Sequence, residues 1–124
     1  MVKLLTDFPD HVAAYKARET VNKAEYEEVV TRRVNEVAEK YGVINFLVLL
    51  ETDFDNYTFA AFIDYLKISF KHFRKWNRMA IVSDEKWVRK FYEVLSPVVP
   101  GEIRSYPINE FTVAKEWVSG QISQ

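Results

Sequence analysis

Apolar and polar residues follow two different periods along the chain, and each period predicts a different element. Residues 43–50 are almost unbroken in apolar side chains, a pattern typical of a strand buried on both faces of a sheet. Before them, apolar residues recur every three or four positions, which predicts the buried face of an α-helix. That face consists of Tyr26, Val30, Val34, Val37 and Tyr41. Asn22 and Glu25 have capping-box spacing at its start, and Gly42 suits its end.

The rest of the chain alternates between short apolar strands and helical periods. Turn-forming residues separate predicted strands at 2–5, 11–18, 79–82 and 102–107. Further helices are predicted at about 58–76, from Asp84 to the stop at Ser96-Pro97, and from Asn109 to Gly120. The order is β-β-α-β-α-β-α-β-α, which favours a mostly parallel sheet with an antiparallel N-terminal strand. We therefore predict a single α/β domain over residues 1–124.

The helix predicted at 58–76 has two faces that are not charged. One is a core stripe, formed by Phe59, Phe62, Ile63, Leu66, Phe70 and Phe73. A second sector contains Ala61, Tyr65, Ile68, Ser69, His72 and Trp76. Lys and Arg side chains lie in the arc between them. Packing on the terminal hairpin or on a neighbouring helix would bury the second face. If exposed, it would suit a homodimer contact, a partner protein or an amphipathic ligand with an acidic head.

Composition narrows the classes of protein that this chain can belong to. Its 124 residues are enough for one core, and 17 basic against 18 acidic side chains give no overall charge that would attract nucleic acid. The chain has no Cys, which excludes disulfides, thiolate metal sites and a Cys nucleophile. No apolar run is long enough to span a bilayer, and residues 1–7 contain no long apolar stretch behind a basic start, so neither membrane insertion nor secretion is expected. We expect a cytoplasmic protein.

The loops that follow the parallel strands are where chemistry is expected in such a sheet. These loops contain Asp53, Asp55 and Asp84. Their carboxylates would suit the binding of Mg²⁺ or general acid–base catalysis. The alternative is that these acids solvate turns and complement helix dipoles. His11 and His72 have no partner at metal-ligand or nucleophile–base spacing. The sequence therefore contains no specific enzyme motif.

Several segments resemble the SpoIIAA-like family, uncharacterised bacterial proteins related to STAS domains and, more distantly, to lipid-binding CRAL-TRIO domains. The similarity spans roughly residues 43 to 118. It rests on Asp53-Phe54, Asp64-Tyr65-Leu66-Lys67, Lys71-His72, Arg78-Met79-Ala80-Ile81-Val82-Ser83-Asp84 with Trp87, Pro100-Gly101-Glu102-Ile103-Arg104, and Ala114 with Trp117.

This resemblance implies a STAS-like sheet of four or five strands with helices, and no cofactor. In STAS antagonists of anti-sigma factors, a serine at the start of the second helix is phosphorylated. The resemblance implies that only Thr58 could take that role here, because Asn56-Tyr57-Thr58 replaces the usual serine sequence. The alternative role of Thr58 is that of a helix N-cap.

Three functions follow from these features. The first is a non-enzymatic binding module for an apolar or amphipathic, lipid-like ligand beside the 58–76 helix. Its wall would contain Tyr65, His72, Trp76 and Trp87, with Lys71 or Arg78 for a head group. The second is a STAS-type regulatory protein-interaction domain that forms a homodimer. The third is a metal-assisted hydrolase that uses Asp53, Asp55 and Asp84.

Overall fold

The computed structural model describes residues 2–18, 23–51, 73–86 and 101–120. Its strands are β1 (Val2–Leu4), β2 (Val12–Ala17), β3 (Ile44–Leu50), β4 (Trp76–Val82) and β5 (Glu102–Tyr106). Helix α1 consists of three consecutive segments, namely Lys23–Tyr26, the π-helical Glu27–Thr31, and Arg32–Tyr41. Helix α2 is Phe111–Val118, and 3₁₀ turns at Phe73–Lys75 and Ile108–Glu110 precede β4 and α2.

The five strands form one sheet in the order β1-β2-β3-β4-β5. β1 runs antiparallel to β2, with Val2 opposite Ala17, and β2 to β5 are parallel to one another. The α/β class and the antiparallel N-terminal strand are therefore confirmed. The predicted helices at 58–76 and after Asp84 lie largely outside the described residues.

The start of β4 corrects one predicted boundary. Trp76 continues the helical period of the sequence, yet it is the first residue of a strand and pairs with Ile44. The register then shifts so that Asn45 pairs with Arg78. This bulge adds one residue to β4 and allows Trp76 and Met79 to face the same side of the sheet. Strand pairing therefore ends the predicted helix before Trp76.

The front face of the sheet, which we define as the face covered by α1, has the larger side chains. Tyr15 and Phe46 are fully buried there, with ring centroids 5.3 Å apart. Phe46 packs edge-on against Trp76 at 5.2 Å. Val30 and Val34 of α1 are also fully buried in this cluster. The aromatic residues and the valines of α1 therefore form the larger of the two core layers.

The back face is covered by α2 and has smaller side chains. Ala14 and Ala80 belong to this cluster with Ala114 of the helix. Small residues at such a contact allow the helix axis to approach the sheet closely. No helix among the described residues has the length and hydropathy that a membrane crossing needs.

Two adjacent residues before β2 connect the sheet to the ends of both helices. The carboxylate of Asp10 accepts hydrogen bonds from Lys40 Nζ at 2.8 Å and Tyr41 Oη at 2.7 Å, at the end of α1. These bonds hold the pKa of Asp10 well below its usual range. His11 Nε2 lies 3.2 Å from the carbonyl oxygen of Ser119 and 3.2 Å from that of Gly120, just beyond the end of α2. Both neighbours are acceptors, so Nε2 carries the proton.

The ends of the helices agree partly with the sequence. Gly42 closes α1 in the left-handed conformation at φ 76°, and its N–H donates to Ala38 O at 2.9 Å, as predicted. The last helix was predicted to start at Asn109, but Asn109 lies inside a 3₁₀ turn, and α2 begins at Phe111. The turn forms because the Glu110 N–H donates to Pro107 O at 2.9 Å.

Candidate functional site

Most residues that the sequence proposed for function lie outside the described part of the chain. These are the wall and head-group residues Tyr65, Lys71, His72 and Trp87, the phosphorylation candidate Thr58, and the acids Asp53 and Asp55. Trp76, Arg78 and Asp84 are described, and each has a defined environment.

Trp76 and Arg78 do not share a wall. Trp76 is 5% exposed and belongs to the front-face core. Arg78 lies on the back face, where its Nη1 donates a hydrogen bond to the carbonyl oxygen of Trp117. Its guanidinium carbon lies 5.5 Å from the centroid of the Trp117 ring. The two side chains are therefore on opposite faces of the sheet, and the proposed grouping of Trp76 with an Arg78 head-group contact does not form.

Asp84 stabilises the sheet edge at which the parallel strands end. Its Oδ1 accepts a hydrogen bond from the Ile108 N–H at 2.8 Å. The preceding residue, Ser83, donates its N–H to Tyr106 O at 2.9 Å. These bonds connect the end of β4 to the turn after β5. Among the described residues, no group of three or more His, Asp or Glu side chains is placed to hold a metal ion.

An open groove on the back face is lined entirely by described residues. It has a volume of about 320 Å³ and lies between the β1–β2 hairpin and α2. Leu5, Phe8 and Phe111 form its apolar part. The rings of Phe8 and Phe111 meet edge to face with centroids 6.0 Å apart, so the loop after β1 packs directly on the start of α2.

Three lysines surround this groove, whose only lining acid is Asp7. Lys3 and Lys16 are directly opposite each other in the antiparallel pair of β1 and β2. Lys115, on α2, lies 2.9 Å from a carboxylate oxygen of Asp7, and its Nζ is 5.1 Å from the centre of the Phe8 ring. Three positive charges and one negative charge give the lining a net charge of +2.

The lysines differ in how far their charge is already neutralised. Lys16 Nζ lies 3.6 Å from Glu51, and Lys115 is paired with Asp7. Lys3 is exposed and has no hydrogen bond or ion pair to any described residue. The unneutralised charge is therefore concentrated at the end of the groove formed by β1 and β2.

The comparison with known families decides where this chain belongs. The SpoIIAA-like family model matches residues 12–119. The chain is a member of the SpoIIAA-like family. This confirms the resemblance noted in the sequence, and the five-stranded mixed sheet agrees with a STAS-like fold. No curated protein and no solved structure matches the chain.

The match also divides the groove of this SpoIIAA-like domain. Lys16, Phe111 and Lys115 fall inside the matched range, whereas Lys3, Leu5 and the rest of the first loop precede it. One wall of the groove therefore belongs to the matched domain, and the other is supplied by the segment before it. Sequence reasoning missed the site because its parts lie about 100 positions apart. Only the hairpin register, which places Lys3 beside Lys16, was a usable signal.

Proposed function

We propose that this chain is a non-enzymatic, STAS-type regulatory domain that acts by binding a partner protein. The observation that carries the proposal is the SpoIIAA-like match over residues 12–119, together with a sheet of the STAS-like type. A shared fold does not by itself establish a shared function, so the proposal needs support from the residues themselves.

The sheet edge where enzymes of this architecture place their chemistry is used for structural bonds in this chain. The side chain of Asp84 accepts from Ile108, and Ser83 Oγ accepts from the Glu85 N–H at 3.1 Å. Glu51, which follows β3, lies 3.6 Å from Lys16 and 3.7 Å from Arg18. Each of these three described side chains therefore has a partner that fixes a loop, which supports a binding role over a catalytic one.

The other two functions considered from the sequence have less support. A ligand beside residues 58–76 retains Tyr65, His72 and Trp87 for its wall and Lys71 for its head group. Trp76, however, lies in the core, and Arg78 holds the end of α2. For a metal-assisted hydrolase, Asp84 already accepts a backbone hydrogen bond. A Mg²⁺ or Mn²⁺ titration that raises the melting temperature would favour the hydrolase.

The partner proposal is tested by reconstitution. The protein is cross-linked in its native cells, the captured protein is purified, and the complex is rebuilt from the two components. We expect a complex of fixed stoichiometry that re-forms in light scattering. A complex containing only two copies of this chain would identify the partner as a second copy. The proposal would be contradicted if no complex re-formed and the isolated chain catalysed the turnover of a substrate.

A pair of matched variants tests whether α2 takes part in the contact. Val113 on α2 is 50% exposed, and Ala24 is exposed on α1, on the other side of the sheet. Both can be replaced by Glu without entering the core. If the partner contacts α2, Val113→Glu weakens the rebuilt complex and Ala24→Glu does not. Equal affinities for both variants would place the contact elsewhere.

A further inference from the structure

We propose that the groove between the hairpin and α2 binds a small amphipathic anion, an organic acid with an aliphatic or aromatic body. The test measures binding of a small molecule by the isolated chain, so this proposal and the partner proposal can fail independently of each other. It is also distinct from the ligand site considered beside residues 58–76, because it is built from β1, β2 and α2.

Lys3 and Lys16 repel each other across the hairpin. These residues are direct cross-strand neighbours, and such pairs have Cβ atoms about 4.5–5.5 Å apart. Like charges in that position destabilise a hairpin. Lys16 is partly neutralised by Glu51 at 3.6 Å, but Lys3 has no partner in the described ranges. An anion between the two ammonium groups would relieve this repulsion and accept a hydrogen bond from each.

The groove has a charged end and an apolar end, which set the direction of a ligand. Lys115 at the other side is already paired with Asp7 and lies over the Phe8 ring, so it offers little charge to a ligand. The apolar surface of Phe8 and Phe111 continues from there. A ligand therefore places its anionic head at Lys3 and Lys16 and its apolar body along the two phenylalanines.

The volume of the groove limits the size of the ligand. Small-molecule sites have volumes of roughly 300–1,000 Å³, and this groove, at about 320 Å³, is at the small end of that range. It fits a single short chain or one ring system better than a two-chain lipid. With Lys115 paired to Asp7, the remaining positive charge of Lys3 and Lys16 disfavours a cationic amphiphile.

The test uses defined probes on the full chain. Octanoate and octyl phosphate carry the two possible anionic heads, and octylamine is the cationic control of the same chain length. Binding is measured by calorimetry, and the site is located by amide chemical-shift changes. We expect binding by at least one anionic probe, shifts at Lys3, Lys16 and Phe111, and no binding of octylamine. The tighter anionic probe identifies the head group.

Lys3→Gln is the decisive variant, with Lys86→Gln as its control on another exposed lysine. Because the variant removes one charge-assisted contact, the affinity for the anion should fall about fivefold or more. The same change removes the repulsion on Lys16, so the melting temperature should not fall. Lys86→Gln should leave affinity unchanged. The proposal is overturned if neither anion binds, if octylamine binds as well as the anions, or if Lys3→Gln has no effect on affinity.

Discussion

The buried hydroxyl of Tyr15 offers a direct test of how the front-face core is held together. Tyr15 is fully buried on β2, and its Oη donates a hydrogen bond to the Val30 carbonyl oxygen at 2.9 Å. Val30 lies in the π-helical segment Glu27–Thr31 of α1. The bond therefore fixes an irregular turn of the helix to the middle of the sheet, and Tyr15→Phe removes it without changing the ring.

The expected loss of stability comes from the Val30 carbonyl group, which Tyr15→Phe leaves without its hydrogen-bond donor. A typical intramolecular hydrogen bond contributes about 0.5–1.5 kcal/mol net, and a buried group that loses its partner costs about 1–3 kcal/mol. Val30 is fully buried, so water does not replace the hydroxyl easily. We expect Tyr15→Phe to lower the free energy of unfolding by about 1–2 kcal/mol. For a chain of this size that corresponds to a fall in melting temperature of about 5 °C.

The pH dependence gives an independent readout of the same group. Burial raises the pKa of Tyr15 well above its ordinary value of 10.0. The phenol therefore ionises in the unfolded chain before it ionises in the folded one, and the unfolded state binds fewer protons above that pH. Wild-type stability should fall as the pH rises past 10, and the fall should be smaller in Tyr15→Phe.

Urea denaturation at neutral and alkaline pH measures both effects, and Tyr41→Phe is the matched control. Tyr41 also donates its hydroxyl, to Asp10 at 2.7 Å, but that bond is exposed to solvent. We expect Tyr41→Phe to cost less than about 0.5 kcal/mol. If the two variants were equally stable, the buried bond to Val30 would not contribute what its geometry implies, and the reasoning about the π-helical segment would be refuted.

Three further perturbations follow from the packing and the charges. A Cβ at Gly101 would lie 2.6 and 2.7 Å from two backbone carbonyl oxygens of β4, so Gly101→Ala should cost about 1–3 kcal/mol in urea denaturation. Gly120→Ala should cost less, because its Cβ would meet the movable end of a side chain. Arg78→Ala removes the donor to the end of α2 and should cost about 1–2 kcal/mol, with a change in near-ultraviolet circular dichroism. The hydrogen bond from Lys40 lowers the pKa of Asp10, so a small, salt-sensitive part of the stability should disappear as the pH falls below about 4 and be absent in Asp10→Asn. An acid unfolding profile that is identical in wild type and Asp10→Asn would contradict that assignment.

The sequence was sufficient where a local pattern determines the structure. The apolar run before Glu51 became the central strand β3, and Gly42 closed α1 in the conformation that glycine favours. The run even tolerates Asn45, which is 1% exposed. Its Oδ1 accepts from Asn77 Nδ2 at 2.9 Å, so a polar side chain is satisfied inside the strand pair.

The sequence was insufficient where partners far apart along the chain determine the structure. Trp76 fits a helical period as well as a strand, and only its pairing with Ile44 decides between them. Arg78 was grouped with Trp76 because it is a basic residue next to the predicted 58–76 helix, yet the bulge in β4 places the two side chains on opposite faces. Lys3 and Lys115 meet at one groove only after the sheet and α2 have assembled. Local periodicity contains no information about such pairings.

The groove itself follows from a mismatch in width. Five strands at a spacing of about 4.8 Å give a sheet roughly 19 Å across, whereas a helix is about 10 Å in diameter and eight residues make it about 12 Å long. α2 packs on β3 and β4, so it leaves the β1–β2 side of the back face to the loop that contains Phe8. No helix among the described residues covers that side, and Lys3 is exposed there. The alternation of the hairpin places Lys3 and Lys16 there together, which makes the uncovered part of the sheet cationic as well as concave. Replacing Lys3 should therefore change what the groove binds while leaving the fold that creates the groove intact.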